Sequence, residues 1–146
     1  MGIWKKGLVV LVVGLPGSGK THYVREHLGD GIVFDLDHIA AAMRLAEPHV
    51  EDHEAARFTA NELLPAFVRH SRRFSRKVYV IRTAPRPSEV AEIAPEKIII
   101  CRGSYNITKR PDYKRPDYDR YEYLARIQDV ITMAKSENIP LEEVRG

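Results

Sequence analysis

The chain has 146 residues, 44% hydrophobic and 29% charged, a composition that excludes wholesale disorder and fits one domain spanning residues 1–146. Its single cysteine, Cys101, excludes an internal disulfide framework and fits a reducing cytoplasm. The net charge of +3 gives a mild preference for anionic ligands, and the longest apolar run, residues 8–13, is too short to cross a membrane. We therefore expect a soluble, cytoplasmic protein.

The first part of the chain alternates between strand and helix patterns. Residues 8–13 are a continuous run of leucine and valine ended by a glycine, which is typical of a strand buried on both faces of a parallel sheet. A helix is predicted over 20–28 and a second strand over 32–34. Asp37 is then expected to be the N-cap of a helix over 38–44.

The remaining elements continue this alternation. Apolar runs predict three further strands, at 78–81, 97–101 and 140–144, the last of them at a sheet edge. Helical spacing predicts helices over 51–75, around 88–93, and from about 116 onwards. Pro65 removes a backbone donor inside the first of these helices, so we expect a kink or break there. The pattern predicts an α/β fold with a parallel sheet of four to five strands.

Residues 14–21, GLPGSGKT, match the phosphate-binding pattern G-x-x-x-x-G-K-[ST] at every fixed position, between a strand and a helix. Glycines let backbone N–H groups turn towards phosphate oxygens, and the helix N-terminus adds partial positive charge. Lys20 is expected to reach the β- and γ-phosphates, and the Thr21 hydroxyl to ligate Mg²⁺. We predict that ATP or another nucleoside triphosphate binds to Gly14, Leu15, Pro16, Gly17, Ser18, Gly19, Lys20 and Thr21.

Two carboxylates, Asp35 and Asp37, follow the second predicted strand. A magnesium nucleotide site needs a carboxylate near Thr21, and an alcohol acceptor needs a base within hydrogen-bond reach. Residues i and i+2 of a strand point the same way, so both carboxylates are expected to line the cleft at the strand ends. The structural alternative is that Asp37 only caps the next helix and Asp35 only ends a strand.

The loop and the two aspartates together resemble the small P-loop kinases of the nucleoside-monophosphate-kinase-like group. FDLDHI, residues 34–39, is similar to the D-x-D of shikimate- and gluconate-kinase-like enzymes. GLPGSGKT also resembles the loop of polynucleotide 5′-hydroxyl kinases and of zeta-toxin-like AAA-type ATP-binding domains. The resemblance implies a three-layer P-loop fold with kinase-like strand order, a magnesium role for Asp35, and contact of Asp37 with the acceptor as orienting group or base. The two roles could also be exchanged.

The chain departs from these families in two places. The third predicted strand ends Ile81-Arg82-Thr83 without an aspartate, so a metal-binding carboxylate must come from Asp35 or Asp37 or be missing. Polynucleotide kinases also carry an arginine shortly after the strand-two aspartate, whereas here Arg44 lies about two turns further along. These departures leave two acceptor classes open, a polynucleotide 5′-hydroxyl and a nucleotide-like small molecule.

Residues 102–118 are basic and rich in tyrosine, and they repeat KRPDY at 109–113 and 114–118. The resemblance implies that this segment is a short lid, which closes arginines over the γ-phosphate and excludes water. Arg102 is expected at the nucleotide, and Arg110 and Arg115 at the transferring phosphoryl group. Alternatively, the interleaved tyrosines and basic residues contact a polynucleotide, or the segment is a solvated loop.

Three weaker patterns are interpreted as structural. His49 and His53 have the i, i+4 spacing of metal ligands on a helix, but with no third ligand in sight they are expected to be surface residues. Cys101 is expected to be an inert buried thiol. The basic residues at the end of the long helix are expected to form a solvated face, with a nucleic-acid patch as the alternative: Arg69, Arg72, Arg73, Arg76 and Lys77.

The sequence therefore predicts an ATP- and Mg²⁺-dependent kinase acting on a hydroxyl or phosphate acceptor. Two other functions stay open at this point. One is simple ATP hydrolysis. The sequence has no apolar strand ending in Asp-Glu, which argues against it. The other is a non-catalytic nucleotide-binding accessory module, which the missing carboxylate on the third strand keeps open.

Overall fold

Five parallel strands form one sheet in the part of the chain that the computed structural model describes, residues 7–46, 54–74, 77–103 and 120–145. The strands are β1 (Leu8–Gly14), β2 (Ile32–Asp35), β3 (Lys77–Arg82), β4 (Lys97–Cys101) and β5 (Leu141–Val144). Their order across the sheet is β2-β3-β1-β4-β5. The predicted parallel sheet is confirmed, and the strand expected at 140–144 lies at its edge. β3 separates β2 from β1.

Six helices connect or follow these strands within the described ranges. They are α1 (Lys20–His27), α2 (Leu36–Met43), α3 (Glu54–Glu62), α4 (Leu64–Phe74), α5 (Pro87–Ile93) and α6 (Arg120–Ser136). The expected break near Pro65 occurs at Leu63, between α3 and α4. Pro65 is the second residue of α4, where a missing N–H removes no intrahelical bond. The predicted start of the last helix, near residue 116, lies outside the described residues.

The sheet is covered on both faces. Alternate residues of β1 point to opposite sides, with Val9, Leu11 and Val13 in one apolar cluster and Val10 and Val12 in another. The first cluster also contains buried side chains from α4, α5 and α6, and the second contains Val24 of α1. The three-layer arrangement explains why β1 carries an unbroken apolar run. None of the described helices is long and apolar enough to span a membrane.

One residue of the basic cluster at the end of α4 is not part of a solvated face. The Arg72 side chain is only 14% exposed and forms an ion pair with Glu96. Glu96 in turn accepts a hydrogen bond of 2.7 Å from the backbone N–H of Val9. Arg72 also donates to the carbonyl oxygen of Ala94 at 3.2 Å. The expectation of a solvated face is therefore wrong for Arg72, which ties α4 to the starts of β1 and β4.

Replacing Arg72 by alanine is expected to lower the free energy of unfolding by about 2 kcal/mol, because it leaves the Glu96 carboxylate with one fewer charged donor. Arg73→Ala is the matched control, since Arg73 lies on the same last turn but is exposed. It should change stability by less than about 0.5 kcal/mol. Urea unfolding followed by circular dichroism measures both changes. Equal stability of the two variants would contradict a structural role for Arg72.

Candidate functional site

The loop between β1 and α1 has the backbone shape that its glycines predict. Gly17 and Gly19 adopt φ angles of 77° and 94°, in the left-handed region that other residues rarely enter. Gly19 is the N-cap of α1 and supplies no side-chain cap. The first N–H groups of a helix have no partner within the helix, and those of α1 lie directly after this loop.

Gly14, the first residue of the motif, is required for a different reason, which is space. A Cβ atom built on Gly14 would lie 2.3 Å from Ser18 Oγ and 2.8 Å from the carbonyl oxygen of Cys101. Ser18 is only 4% exposed, and within the described residues its hydroxyl has no hydrogen-bond partner. The loop is therefore packed tightly on the ends of β1 and β4, and the Ser18 side chain is buried in this contact.

The Lys20 ammonium group lies over the first turn of the loop. Its Nζ atom donates to the carbonyl oxygens of Gly14 and Leu15, at 2.8 and 2.9 Å. Burial raises the pKa of the nearby Cys101 thiol to about 11, and the positive charge of Lys20 partly opposes that rise. The thiol is thus protonated at neutral pH, as expected for an inert buried cysteine.

The carboxyl end of β2 brings Asp35 next to the loop. Thr21 Oγ1 lies 3.4 Å from Asp35 Oδ2, which is long for an O–H···O hydrogen bond, so the two oxygens are close neighbours rather than tight partners. His38 Nδ1 lies 2.8 Å from the same Asp35 oxygen. The sequence-predicted pair of Thr21 and Asp35 is therefore brought together, although β2 and β1 are not adjacent strands.

The position of Asp37 corrects the expected helix start. Asp35, not Asp37, is the N-cap of α2, and its Oδ1 accepts a hydrogen bond of 3.2 Å from the N–H of Asp37. The helix begins at Leu36, so the strand alternation stops before Asp37. The two carboxylates therefore do not project from the same face of one strand, as the side chains of strand residues i and i+2 would. Asp35 both caps the helix and lies next to Thr21, so its position as a cap does not conflict with the predicted magnesium role.

Asp37 instead faces α3. Its Oδ1 lies 3.4 Å from Nε of Arg57, an ion pair without hydrogen-bond geometry. Arg57 could not be predicted from the sequence, because nothing in EAARFTANE distinguishes it from any arginine of an ordinary helix. The signal that could have pointed to an arginine was the need for a cation near Asp35 and Asp37. Arg44, the candidate considered for it, follows the last residue of α2, at the opposite end of that helix from Asp37.

Arg82, at the end of β3, joins the same charged region. Its guanidinium donates to Asn61 Oδ1 of α3 and to Glu89 Oε2 of α5. Burial lowers the pKa of Arg82, and the carboxylate of Glu89 raises it. The charges of Arg57 and Asp37 also act on this pKa, in opposite directions. β3 therefore ends in an arginine that is held by the carboxylate of Glu89. This is the strand end at which the sequence has no metal-binding aspartate.

The residues predicted to form a lid are only partly described. Arg102 donates to Glu143 Oε1 at 3.0 Å, and its backbone N–H bonds to Val144 at 2.8 Å, so it is tied to the edge strand β5. Arg110 and Arg115 lie outside the described residues, as do both KRPDY repeats. His49 and His53 are also outside them.

The oxygen atoms of Thr21 and Asp35 fit a magnesium ion that is shared with a bound nucleotide. Mg²⁺ prefers oxygen ligands and is usually held by one or two protein groups together with phosphates and water. Among the described residues, no group of three or more His, Cys, Asp or Glu side chains is gathered for a metal. A hydroxyl and a carboxylate side by side are therefore the donor set that this part of the chain offers.

Comparisons with known proteins concern the family and the fold of the chain. The model of a family described as "AAA domain" matches residues 9–94, which include the loop and both aspartates. Thymidylate kinase from Candida albicans is similar in structure, with 12% identity, a TM-score of 0.50, and coverage of 97% of this chain and 85% of that one. TT1252 from Thermus thermophilus has 16% identity, a TM-score of 0.48, and coverage of 97% and 90%. No curated protein matches the sequence. The likeness to the thymidylate kinase confirms the predicted P-loop kinase fold and its strand order.

Proposed function

Since this chain belongs to the AAA domain family and has the fold of a P-loop kinase, we propose that it transfers the γ-phosphate of ATP to a hydroxyl or phosphate acceptor, with Mg²⁺. The observation that carries this proposal is the contact of Thr21 Oγ1 with Asp35 Oδ2, at 3.4 Å, directly beside the phosphate-binding loop. The acceptor we propose is a polynucleotide 5′-hydroxyl or a nucleotide-like small molecule.

The loop residues would bind the triphosphate. The N–H groups at the start of α1 are favourable partners for phosphate oxygens, and the partial positive charge of the helix end adds to them. Lys20 Nζ, which now lies 2.8 Å from the carbonyl oxygen of Gly14, would neutralise charge on the β- and γ-phosphates. Thr21 and Asp35 would hold Mg²⁺, directly or through water. The ion would neutralise charge that develops on the phosphates.

Asp37 is the residue that we propose for the acceptor. Asp35 already contacts Thr21, His38 and the N–H of Asp37, which favours Asp35 for the metal and leaves the acceptor role to Asp37. A carboxylate there would orient the acceptor hydroxyl and accept its proton. Arg57, 3.4 Å from the Asp37 carboxylate, would restrict its orientation from α3. Arg102, Arg110 and Arg115 remain proposed lid residues.

One observation favours a second function, nucleotide binding without transfer. β3 ends in Arg82, which is bound by Glu89 and Asn61, so this strand end offers no carboxylate to a metal. ATP hydrolysis without an acceptor is the remaining alternative. The three functions differ in where the γ-phosphate goes.

Following the γ-phosphate tests the proposal. The protein is incubated with Mg²⁺ and γ-³²P-labelled ATP and a pool of acceptors: 5′-hydroxyl DNA and RNA oligonucleotides, nucleosides, nucleotides and small polyols. Label in one acceptor class is expected and would identify the substrate. Free phosphate alone, above the rate without protein, would show an ATPase. Nucleotide binding with no release of label would show a binding module.

A further inference from the structure

A glycine that the motif does not include also packs on the phosphate-binding loop. Gly103 lies just after β4, and its backbone N–H donates to the carbonyl oxygen of Ser18 at 3.2 Å. A Cβ atom built on Gly103 would lie 2.4 Å from that oxygen and 2.9 Å from the Ser18 carbonyl carbon. The φ angle of Gly103 is not positive, so space rather than backbone conformation requires a glycine here.

Ser18 is thus held between two glycines. On one side Gly14 leaves room for the Ser18 hydroxyl, and on the other Gly103 leaves room for the Ser18 carbonyl group. Ser18 is nearly fully buried, and its N–H donates to the carbonyl oxygen of Leu15 at 3.0 Å. Both ends of the Ser18 backbone are therefore fixed by hydrogen bonds, one within the loop and one to the chain that follows β4.

The fixed Ser18 carbonyl determines where the next N–H points. The Ser18 C=O and the Gly19 N–H belong to one planar trans peptide, so they point in opposite directions. Because Gly103 holds the carbonyl on the protein side, the Gly19 N–H is directed away from Gly103. Gly19 is the N-cap of α1, where the N–H groups have no partner within the helix itself.

We infer that Gly103 is a positioning residue, which orients the Gly19 amide for the phosphates of the bound nucleotide. The inference rests on the nucleotide binding proposed above. Gly103, which follows β4, affects nucleotide affinity through its backbone alone. A side chain at position 103 would push the Ser18 carbonyl aside and rotate the peptide, so that the Gly19 N–H loses its direction.

The test compares Gly103→Ala with Gly31→Ala. Gly31 has a comparably close backbone approach, since a Cβ atom there would lie 2.7 Å from the carbonyl oxygen of Lys77, against 2.4 Å from that of Ser18 at Gly103. Gly31 lies at the amino ends of β2 and β3, whereas the loop lies at the carboxyl end of β1, at the other end of the parallel strands. Both variants should lower the melting temperature. Below both melting temperatures, Gly103→Ala should weaken equilibrium binding of Mg²⁺-ATP about tenfold or more, and Gly31→Ala less than about twofold.

Hydrogen exchange of the unmodified protein gives a readout that does not depend on a variant folding. The Gly103 amide should exchange more slowly when Mg²⁺-ATP binds, because the nucleotide fixes the Ser18–Gly19 peptide that accepts its hydrogen bond. The Gly31 amide, which donates to the carbonyl oxygen of Leu28 at 2.7 Å, should not change.

Two results would overturn the inference. One is unchanged nucleotide affinity in Gly103→Ala, or an equal loss in Gly31→Ala. The other is a Gly103 exchange rate that nucleotide does not alter. If the unmodified protein binds no nucleotide at all, the proposed function itself fails, and this outcome is recognised before any variant is compared.

Discussion

Lys20→Ala is expected to reduce phosphoryl transfer by at least about 100-fold and to weaken nucleotide binding strongly, because it removes the cation placed over the loop. The Lys20 ammonium lies 2.8 and 2.9 Å from two loop carbonyl oxygens, so it sits where the phosphates of a bound nucleotide would meet it. Its two hydrogen bonds to the loop are only partly buried, and both are made to backbone carbonyl groups, so the fold should survive the change. Titration calorimetry with Mg²⁺-ATP and the labelled-phosphate assay measure the two effects.

Lys135→Ala is the matched control for this variant. Lys135 lies in the last turn of α6 and is exposed, far along the chain from the loop. Its replacement should leave binding and transfer within about twofold of the unmodified protein, as is usual for exposed positions. If Lys20→Ala binds nucleotide as well as Lys135→Ala does, the loop is not the phosphate site.

Asp37→Asn is expected to lower the transfer rate by about 10²- to 10⁴-fold while nucleotide affinity stays nearly constant. Asparagine has the shape of aspartate but cannot accept the acceptor proton. The ion pair of Asp37 with Arg57, at 3.4 Å, is weakened by the change, so the acceptor side of the site is altered and the loop is not. Single-turnover transfer rates at saturating ATP separate the chemical step from binding.

Asp129→Asn, on the exposed face of α6, provides the same chemical change away from the site. It should transfer phosphate at the normal rate. Two results would count against the role of Asp37. Transfer at the normal rate in Asp37→Asn would mean that its carboxylate only pairs with Arg57. A large loss of nucleotide affinity instead would mean that Asp37, rather than Asp35, serves the metal.

Local patterns in the sequence predicted most of the fold. The β-branched and leucine runs of β1, β3 and β4 indicate strands without any tertiary information, because strands buried on both faces need apolar residues at every position. Even the short edge strand Leu141–Val144 was predicted. The loop is readable for a similar reason, since Gly17 and Gly19 meet local backbone requirements, although Gly14 also leaves room for the distant carbonyl group of Cys101.

Features that depend on contacts between distant elements could not be read in this way. Arg57 reaches Asp37 only because α3 packs on α2, and Gly103 reaches Ser18 only because β4 lies next to β1. Arg72 looks like any basic residue at a helix end until the sheet places Glu96 beside it. The N-cap of α2 was predicted at Asp37, but it is Asp35, two residues earlier. This boundary decides which of the two carboxylates lies next to the loop.

The most direct test of one magnesium-nucleotide site shared by Thr21 and Asp35 is the effect of Mg²⁺ on ATP affinity in Asp35→Asn. Asparagine caps helices as well as aspartate, so α2 should stay intact while the carboxylate charge is lost. In the unmodified protein Mg²⁺ should raise ATP affinity by about tenfold or more, and Asp35→Asn should lose most of that gain but keep its affinity without metal. An undiminished magnesium effect in Asp35→Asn would contradict the shared site.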